Sequence, residues 1–308
     1  MNEFNKLYNE LCKSDYNELN KAIKTKNIAT TVFIISFVIG FLSIYLSVNE
    51  VIEIQGTFFL LAVIFFIVSF IILIVTTNKT EKLIESDYYN NIIYKIVTTL
   101  FPNSTYSYYS GLPEHIYRKC NYLTSYNIYK RESLVNTNIN NENLMFSEIE
   151  TIEETTDSEG NTSRYTTFAG AAAYLKCMPN IESNIRITTN LSFAEKAIAR
   201  NKRIELDSNE FEKHFDVICD NKINAMQFLT SDVMDKFVNL LKEYKIPFEI
   251  YIERETGIFF KFHIQKFLDL KSSKNVLDFK TLKKHYDNIK YIKTVISFVR
   301  EVTKSLEF

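Results

Sequence analysis

Two long stretches of the sequence contain no ionisable side chain. Residues 28–48 and 57–77 lack Asp, Glu, Lys, Arg and His, although 24% of the 308 residues are charged. Cysteine and glycine are also scarce, with four and six copies. Four scattered cysteines exclude a disulfide scaffold, and an apolar content of 46% excludes a disordered chain. The average composition is therefore that of a soluble protein, but the distribution of charges along the chain is that of a membrane protein.

Each uncharged stretch is long enough to cross a membrane as a helix. Each has 21 residues, and a rise of about 1.5 Å per residue lets such a helix cover the roughly 30 Å hydrocarbon core. Both are rich in Ile, Phe, Leu and Val, which insertion scales favour. We therefore predict transmembrane helices over residues 28–48 and 57–77. The alternative is a buried helical hairpin in a soluble protein.

A short loop, residues 49–56, joins the two predicted spans, so they form a hairpin with both chain ends on one side of the membrane. Residues 1–27 carry five lysines, and Lys79 and Lys82 follow the second span, whereas the loop has two glutamates. Lys and Arg remain on the cytoplasmic side. The charges predict a multi-pass protein of the inner (cytoplasmic) membrane, with both termini in the cytoplasm and the loop outside.

Small residues recur at helical spacing along both predicted spans. They are Ser36, Gly40, Ser43 and Ser47 in the first, and Ala62, Ser69 and Thr76 in the second. Such a face allows close backbone approach, so the main interpretation is that the stripes pack the two helices of one hairpin. A homo-oligomer seam and a pore are the alternatives. A transporter or channel is disfavoured, because no ionisable residue lies at membrane depth to build an ion path.

Helical segments are predicted on both sides of the hairpin. Residues 1–27 place apolar side chains at helical spacing, which indicates an amphipathic helix that packs on the cytoplasmic domain or lies along the membrane surface. Residues 78–101 extend the second span as a helix that ends before Pro102.

Residues 102–308 are predicted to form one cytoplasmic α+β domain. A net charge of zero over residues 78–308, with no basic cluster, gives no case for a nucleic-acid partner. Alternation and turn signals predict two hairpins, one of strands 144–156 and 163–175 and one of strands 248–252 and 258–262, and further strands at 185–188, 204–206 and 217–218. Helical spacing and caps predict helices over 114–121, from Ser192 to Ala199, from a cap at Thr230 or Ser231 to Tyr244, and from about Asp278 onwards. A helical turn is predicted at 209–215, between the strands at 204–206 and 217–218.

The long carboxy-terminal helix carries an apolar stripe. The stripe consists of Leu282, Tyr286, Ile289, Ile292, Ile296, Val299, Val302 and Leu306. An apolar stripe needs a partner surface. We expect the helix to pack on its own domain, with dimerisation or membrane docking as alternatives.

Motifs for catalysis, metals and cofactors are missing. The sequence contains no CxxC, HExxH, GxSxG, GxxxxGK or GxGxxG. Two of the four histidines, His115 and His214, stand five residues before Cys120 and Cys219, but zinc needs four converging ligands. No catalytic, cofactor-binding or metal-ligating residue is therefore predicted, and the thiols are expected to be free on the reducing side of the membrane.

An acidic stretch is the other candidate site. It consists of Glu148, Glu150, Glu153, Glu154, Asp157 and Glu159. The spacing does not match a calcium loop. The main interpretation is a solvated face of the first hairpin, with a divalent-ion site as the alternative.

Five segments of the sequence together form a recognisable set: Asp207–Asp220, Asn224–Ser231, Val233–Asp235, Phe146–Ile149 and Thr167–Gly170. They resemble a bacterial family known as domain of unknown function 3137. The first three are similar to its closing block, the fourth to its strand before an acidic segment, and the fifth to its Thr-Phe-x-Gly element.

The resemblance implies an amino-terminal helix, two closely spaced spans and a carboxy-terminal domain, and it covers residues 1–265 in layout. The helix after Phe267 does not match the family pattern. The family supplies no catalytic residue. In this chain, Asn209–Phe215 is expected to be a capped turn that Phe211 and Phe215 anchor to the core.

Together these observations predict an integral membrane protein that presents an α+β domain in the cytoplasm for protein–protein interaction or regulation. The expected partners are the lipid bilayer and a protein. A membrane-tethered enzyme with a site around the acidic hairpin is the first alternative, and an oligomeric pore is the second.

Overall fold

A computed structural model describes residues 3–48, 56–120, 125–189, 202–264, 267–268, 270 and 275–306. The chain divides into two compact units. One consists of Met1–Ile93 with Leu270–Leu282, and the other of Tyr94–Asp269 with Lys283–Phe308. The α+β class is confirmed: amino-terminal helices and two apolar helices precede an antiparallel sheet and a long carboxy-terminal helix.

The first unit is helical. Its elements are α1 (Glu3–Leu11), α2 (Asn17–Val48), α3 (Gly56–Leu83) and a π-helix (Ile84–Ile93). The prediction of a single helix over residues 1–27 is wrong, because the helix is interrupted between Leu11 and Asn17. There the Asp15 carboxylate accepts a hydrogen bond from the backbone nitrogen of Asn17 at 2.9 Å. Such local side-chain contacts compete with a continuous helix.

Helices α2 and α3 run antiparallel and pack through small residues. The Oγ atoms of Ser36 and Ser69 are 2.8 Å apart, and Thr80 Oγ1 donates to the carbonyl of Ala22 at 3.2 Å. Ser36 and Ser69 are nearly fully buried. The prediction that the small-residue stripes pack the two helices of one hairpin is confirmed at these positions.

The outer surfaces of α2 and α3 are apolar and exposed. Large side chains such as Phe41 and Leu61 are more than 60% exposed. Within the described residues, two helical segments, Asn17–Tyr45 and Phe59–Leu100, are long and apolar enough to cross a membrane.

The second unit is built on an antiparallel sheet. Its strands are β1 (Thr105–Ser107), β2 (Ile128–Ile139), β3 (Glu142–Thr156), β4 (Thr162–Leu175), β5 (Ile185–Thr188), β6 (Arg203–Ile204), β7 (Asp216–Cys219), β8 (Phe248–Glu253) and β9 (Gly257–Phe262). In the described part of the chain these strands form one sheet in the order β1-β2-β3-β4-β9-β8-β5-β7-β6.

Short helices and one long helix accompany the sheet. They are α4 (Tyr94–Leu100), α5 (Glu114–Cys120), α6 (Asn209–Glu212), α7 (Lys222–Phe228), α8 (Ser231–Tyr244) and α9 (Phe279–Ser305). Both predicted hairpins and the helices ending at Leu100 and Tyr244 are confirmed. The strand predicted at 204–206 covers only Arg203–Ile204, and the helix predicted from Ser192 to Ala199 lies outside the described residues.

One face of the sheet packs against α8 and α9. The ring of Tyr291 on α9 contacts Phe248 and Phe262, and Phe298 contacts Phe237 of α8. The stripe residues Ile289, Ile292 and Ile296 are fully buried within this single chain. The expectation that the carboxy-terminal helix packs on its own domain is therefore confirmed.

The opposite face of the sheet carries a smaller apolar core beneath α5. Its buried members are Leu112, Tyr117, Ile149, Phe168, Ala172 and Phe259. Tyr117 of α5 is fully buried in this core, and Ile116 packs against it. Further along the same face of the sheet, the side chains are charged.

Candidate functional site

A cluster of four ionisable side chains lies on the α5 face of the sheet. It consists of Arg186 on β5, Glu249 on β8, Lys261 on β9 and His263 just after β9. Glu249 is the register partner of Lys261. Because alternate residues of a strand point to the same face, Lys261 and His263 lie on the side that also carries Phe259. We call these four residues the charged cluster.

Glu249 is at the centre of the charged cluster. Its Oε2 atom accepts a hydrogen bond from Arg186 Nη2 at 3.1 Å, and its Oε1 atom lies 3.2 Å from His263 Nε2. The Lys261 ammonium is 5.2 Å from the ring centre of Tyr117 and 5.3 Å from that of Phe168. Arg186 and Lys261 are only 4% and 5% exposed. Buried charges of this kind require partners, and the cluster supplies them.

The surroundings keep Glu249 ionised. Burial alone would raise the pKa of this carboxyl group, but the positive charge of Lys261, the hydrogen bond with His263 and the charge of Arg186 outweigh it and lower the pKa well below 4.5. Two basic side chains, Arg186 and Lys261, therefore surround one carboxylate. The formal charges of these three groups sum to +1.

The acidic hairpin β3–β4 has a different character. Lys130 Nζ lies 2.8 Å from Glu150 Oε2, and Arg164 pairs with Glu154. Asp157 accepts hydrogen bonds from the backbone and side-chain amides of Asn161, and these lower its pKa. Glu150 and Glu154 are thus engaged with cations and Asp157 with the turn. Glu148 Oε1 instead accepts a hydrogen bond from the backbone nitrogen of Phe267 at 3.3 Å, and Glu153 Oε2 is buried without a hydrogen-bond partner among the residues that the structure describes. No group of three or more His, Cys, Asp or Glu residues that could hold a metal ion occurs among the described residues.

Two further histidines contact a carboxylate and a backbone carbonyl. His214 Nε2 is 3.8 Å from Glu210, and His285 Nδ1 is 2.9 Å from the carbonyl of Phe267. Cys12, Cys177 and Cys219 are free thiols, as predicted. Burial raises the pKa of Cys177 to about 11, so this thiol is a poor nucleophile at neutral pH.

The segment Asp207–Asp220 has a structural role. Ser208 caps α6, because its Oγ atom accepts a hydrogen bond from the backbone nitrogen of Phe211 at 3.3 Å. The rings of Phe211 and Phe215 are both buried and stack at 4.9 Å. The predicted capped turn, anchored by two phenylalanines, is confirmed.

Sequence reasoning singled out no member of the charged cluster as a candidate site residue. The available signal was a charge inside a short, otherwise apolar strand, as in Ile185-Arg-Ile-Thr188 and Gly257-Ile-Phe-Phe-Lys-Phe262. That signal marks an unusual buried position. It does not reveal which charges meet.

The geometry defines an α+β protein in which two long apolar helices precede a sheet domain with a buried charged cluster. Residues 166–301 match the model of the family described as Protein of unknown function (DUF3137). The match confirms the family resemblance over this stretch, which includes Thr167–Gly170 and Asp207–Asp220. It also includes most of α9, so the expectation that the last helix falls outside the family pattern is wrong. No curated protein and no solved structure matches the chain.

Proposed function

We propose that this chain is an integral protein of the inner (cytoplasmic) membrane that holds its α+β domain in the cytoplasm. The observation that carries the proposal is the pair α2–α3: its buried contacts use small residues, and its outward surface consists of large apolar side chains. Soluble proteins rarely expose apolar surface of this extent. Lysines lie before the first span and after the second, which supports a cytoplasmic position for both termini.

Cysteine labelling tests the orientation. In a chain whose four native cysteines are replaced by Ala, Gln55→Cys is expected to react with a membrane-impermeant maleimide on intact cells. Ser158→Cys, at the exposed turn of the acidic hairpin, is expected to react only after permeabilisation, because we place that turn in the cytoplasm. Labelling is read as a mass shift on a gel.

Alkaline carbonate extraction of the membranes provides the control for integration. The chain should remain in the pellet, because two apolar helices hold it in the bilayer. Release into the supernatant would contradict the membrane proposal itself. The reverse labelling pattern would contradict only the orientation.

We further propose that the domain acts through protein–protein interaction or regulation. Support comes from the outer end of the hairpin β3–β4, where residues 155–165 are exposed and Tyr165 is 56% exposed. The pair Arg164–Glu154 links the two strands at this end. A hairpin end that an ion pair holds together and that exposes an aromatic side chain is suited to contact a partner protein, since tyrosine is enriched at interfaces.

Site-specific photocrosslinking tests this role. A benzophenone amino acid replacing Tyr165 is expected to give an adduct with another protein in native membranes. The same amino acid replacing Tyr251, which is half-buried on the sheet, should give none. An adduct between two copies of the chain would favour the homo-oligomer or pore, and no adduct at Tyr165 would contradict an interface at the hairpin.

The alternative of a membrane-tethered enzyme receives no support from the acidic hairpin. Glu150 and Glu154 are each paired with a cation, and Asp157 holds the turn together. General acid–base chemistry needs a carboxyl group that faces a substrate. These three carboxylates hold the hairpin and its neighbouring strand β2 together.

A further inference from the structure

A groove opens beside the charged cluster, between β4, the end of β9 and α9. Its volume is about 530 Å³, which is the size of a typical small-molecule site. The described residues that line it include Thr166, Thr167, Ile246, His263, Lys284 and Asn288.

Hydrogen bonds within the second unit hold the walls of the groove in place. The backbone nitrogen of His263 donates to the carbonyl of Pro247 at 3.0 Å, and the Tyr291 hydroxyl donates to the carbonyl of Ile246 at 2.9 Å. Lys284 and Asn288 lie one turn apart on α9, so they share one face of that helix. These bonds tether the segment before β8 and the segment after β9, so the groove is bounded by β4, α9 and two fixed connecting segments.

Asn288 is a buried polar residue whose amide is not fully used. The side chain lines the groove and is only 5% exposed, and its Nδ2 atom has no hydrogen-bond partner among the described residues. Buried amide donors are almost always paired in native proteins. Rotation of the terminal amide would turn this donor into the groove, where a ligand oxygen would supply the acceptor that is missing.

The charge of the groove favours an anion. Its described ionisable residues are His263 and Lys284, and Lys284 forms no ion pair within the part of the chain that the structure describes. The charged cluster behind His263 adds a net positive charge, because Arg186 and Lys261 exceed the single carboxylate of Glu249. The hydroxyl of Thr166 provides a further donor along the β4 side, whereas that of Thr167 donates to the carbonyl of Thr151 at 3.1 Å.

We infer that this groove binds a small anionic molecule through a phosphate or carboxylate group, with Lys284 and Asn288 as its principal contacts and His263 at the end of β9 beside them. Lysine supplies the point charge that oxyanions require, and the amide supplies a directional hydrogen bond. The site lies within the second unit. The inferred anion binding goes beyond the proposed function and does not depend on the orientation of the chain in a membrane.

Phosphorus NMR tests the inference on the full-length chain in a maltoside detergent. The probe is inorganic phosphate at millimolar concentration. Binding is expected to broaden its resonance in proportion to protein concentration, since bound phosphate tumbles with the protein–detergent particle. Succinate should compete, because the inferred site accepts either oxyanion, whereas chloride at equal ionic strength should not.

Two variants and one matched control locate the site. Lys284→Gln is expected to weaken phosphate binding about tenfold, because it removes the cationic contact. Lys290→Gln changes another exposed lysine of α9 that does not line the groove, and it should bind like the unmodified chain. Asn288→Leu should abolish binding and leave the thermal unfolding midpoint unchanged or higher, because an unpaired buried amide is exchanged for an apolar side chain of similar size.

Phosphate binding and the unfolding midpoint of Asn288→Leu, measured together, distinguish a binding role of Asn288 from a structural one. If Asn288 only supported the fold, Asn288→Leu would lower the unfolding midpoint. The inference is overturned if phosphate is not broadened beyond the level seen in chloride, or if Lys284→Gln and Lys290→Gln broaden it equally.

Discussion

Replacing Glu249 by Gln is expected to lower the free energy of unfolding by about 3–5 kcal/mol at pH 7. The substitution keeps the shape of the side chain but removes the negative charge between Arg186 and Lys261. Both cations are almost completely buried, so they would remain desolvated without their anionic partner. The measurement is urea unfolding of the full-length chain in detergent. Near-ultraviolet circular dichroism of its 19 tyrosines can follow it, since the chain has no tryptophan.

The same variant should show a defined pH dependence. The pKa of Glu249 is lowered in the folded state, so its contribution to stability is present above the ordinary value of 4.5 and is lost as the pH falls from there towards the folded-state pKa. The difference in unfolding free energy between the unmodified chain and Glu249→Gln should therefore shrink below about pH 4.5.

Glu150→Gln is the matched control, because Glu150 also pairs with a cation but its side chain is 40% exposed. Exposed ion pairs contribute about 0–1 kcal/mol. Glu150→Gln should therefore change stability little at any pH. Equal effects of the two substitutions would contradict the central position of Glu249 in the charged cluster.

Gly170→Ala is expected to destabilise the domain by about 3 kcal/mol or more, although it adds a single methyl group. A Cβ atom at Gly170 would lie 2.0 Å from the carbonyl oxygen of Phe262. That oxygen belongs to the backbone of β9, so relief of the clash requires β4 and β9 to separate. The Thr-Phe-x-Gly element thus has a steric reason to end in glycine. Urea unfolding measures the loss of stability.

Gly160→Ala is the control for this substitution. Gly160 lies in the turn of the acidic hairpin with a φ of +86°, and a Cβ atom there meets nothing within 4 Å. Its cost is conformational only, on the order of 1–2 kcal/mol. Gly170→Ala should be clearly the more destabilising of the two, and should also disturb the groove, because β4 and the end of β9 form two of its sides. A stable Gly170→Ala chain would show that the two strands are not so closely apposed.

The elements that the sequence predicts well have strong local patterns. The two uncharged runs, the hairpin around Asp157 and the apolar stripe of α9 each follow one periodicity over many residues. Strand β2 was missed because its pattern is interrupted. Its pairing with β3 shifts between Glu132 and Val135, and Ser133 has a positive φ of 60°. The tight turn after β2 does leave a signal in the sequence, because asparagine is favoured at positions of positive φ. Asn140 and Asn141 both adopt positive φ, as a two-residue hairpin turn requires.

The charged cluster could not be predicted for a different reason. Period-two alternation indicates which face of a strand a residue occupies, but not which strands are neighbours. Arg186 and Glu249 are 63 residues apart, and they meet because β5 lies beside β8 in the sheet. The groove adds a contribution from α9, whose position on the sheet depends on the packing of Tyr291. Local sequence patterns do not contain these long-range choices.

The strand order also determines how the sheet ends. In the described part of the chain, the outermost strands are β1 with three residues and β6 with two. Long, flat edges offer unpaired backbone amides and carbonyls that recruit strands from other molecules, and short edges offer few. The two outermost strands thus offer little backbone for strand addition, which matters for a domain that the proposed membrane anchor would concentrate on one surface beside its own copies.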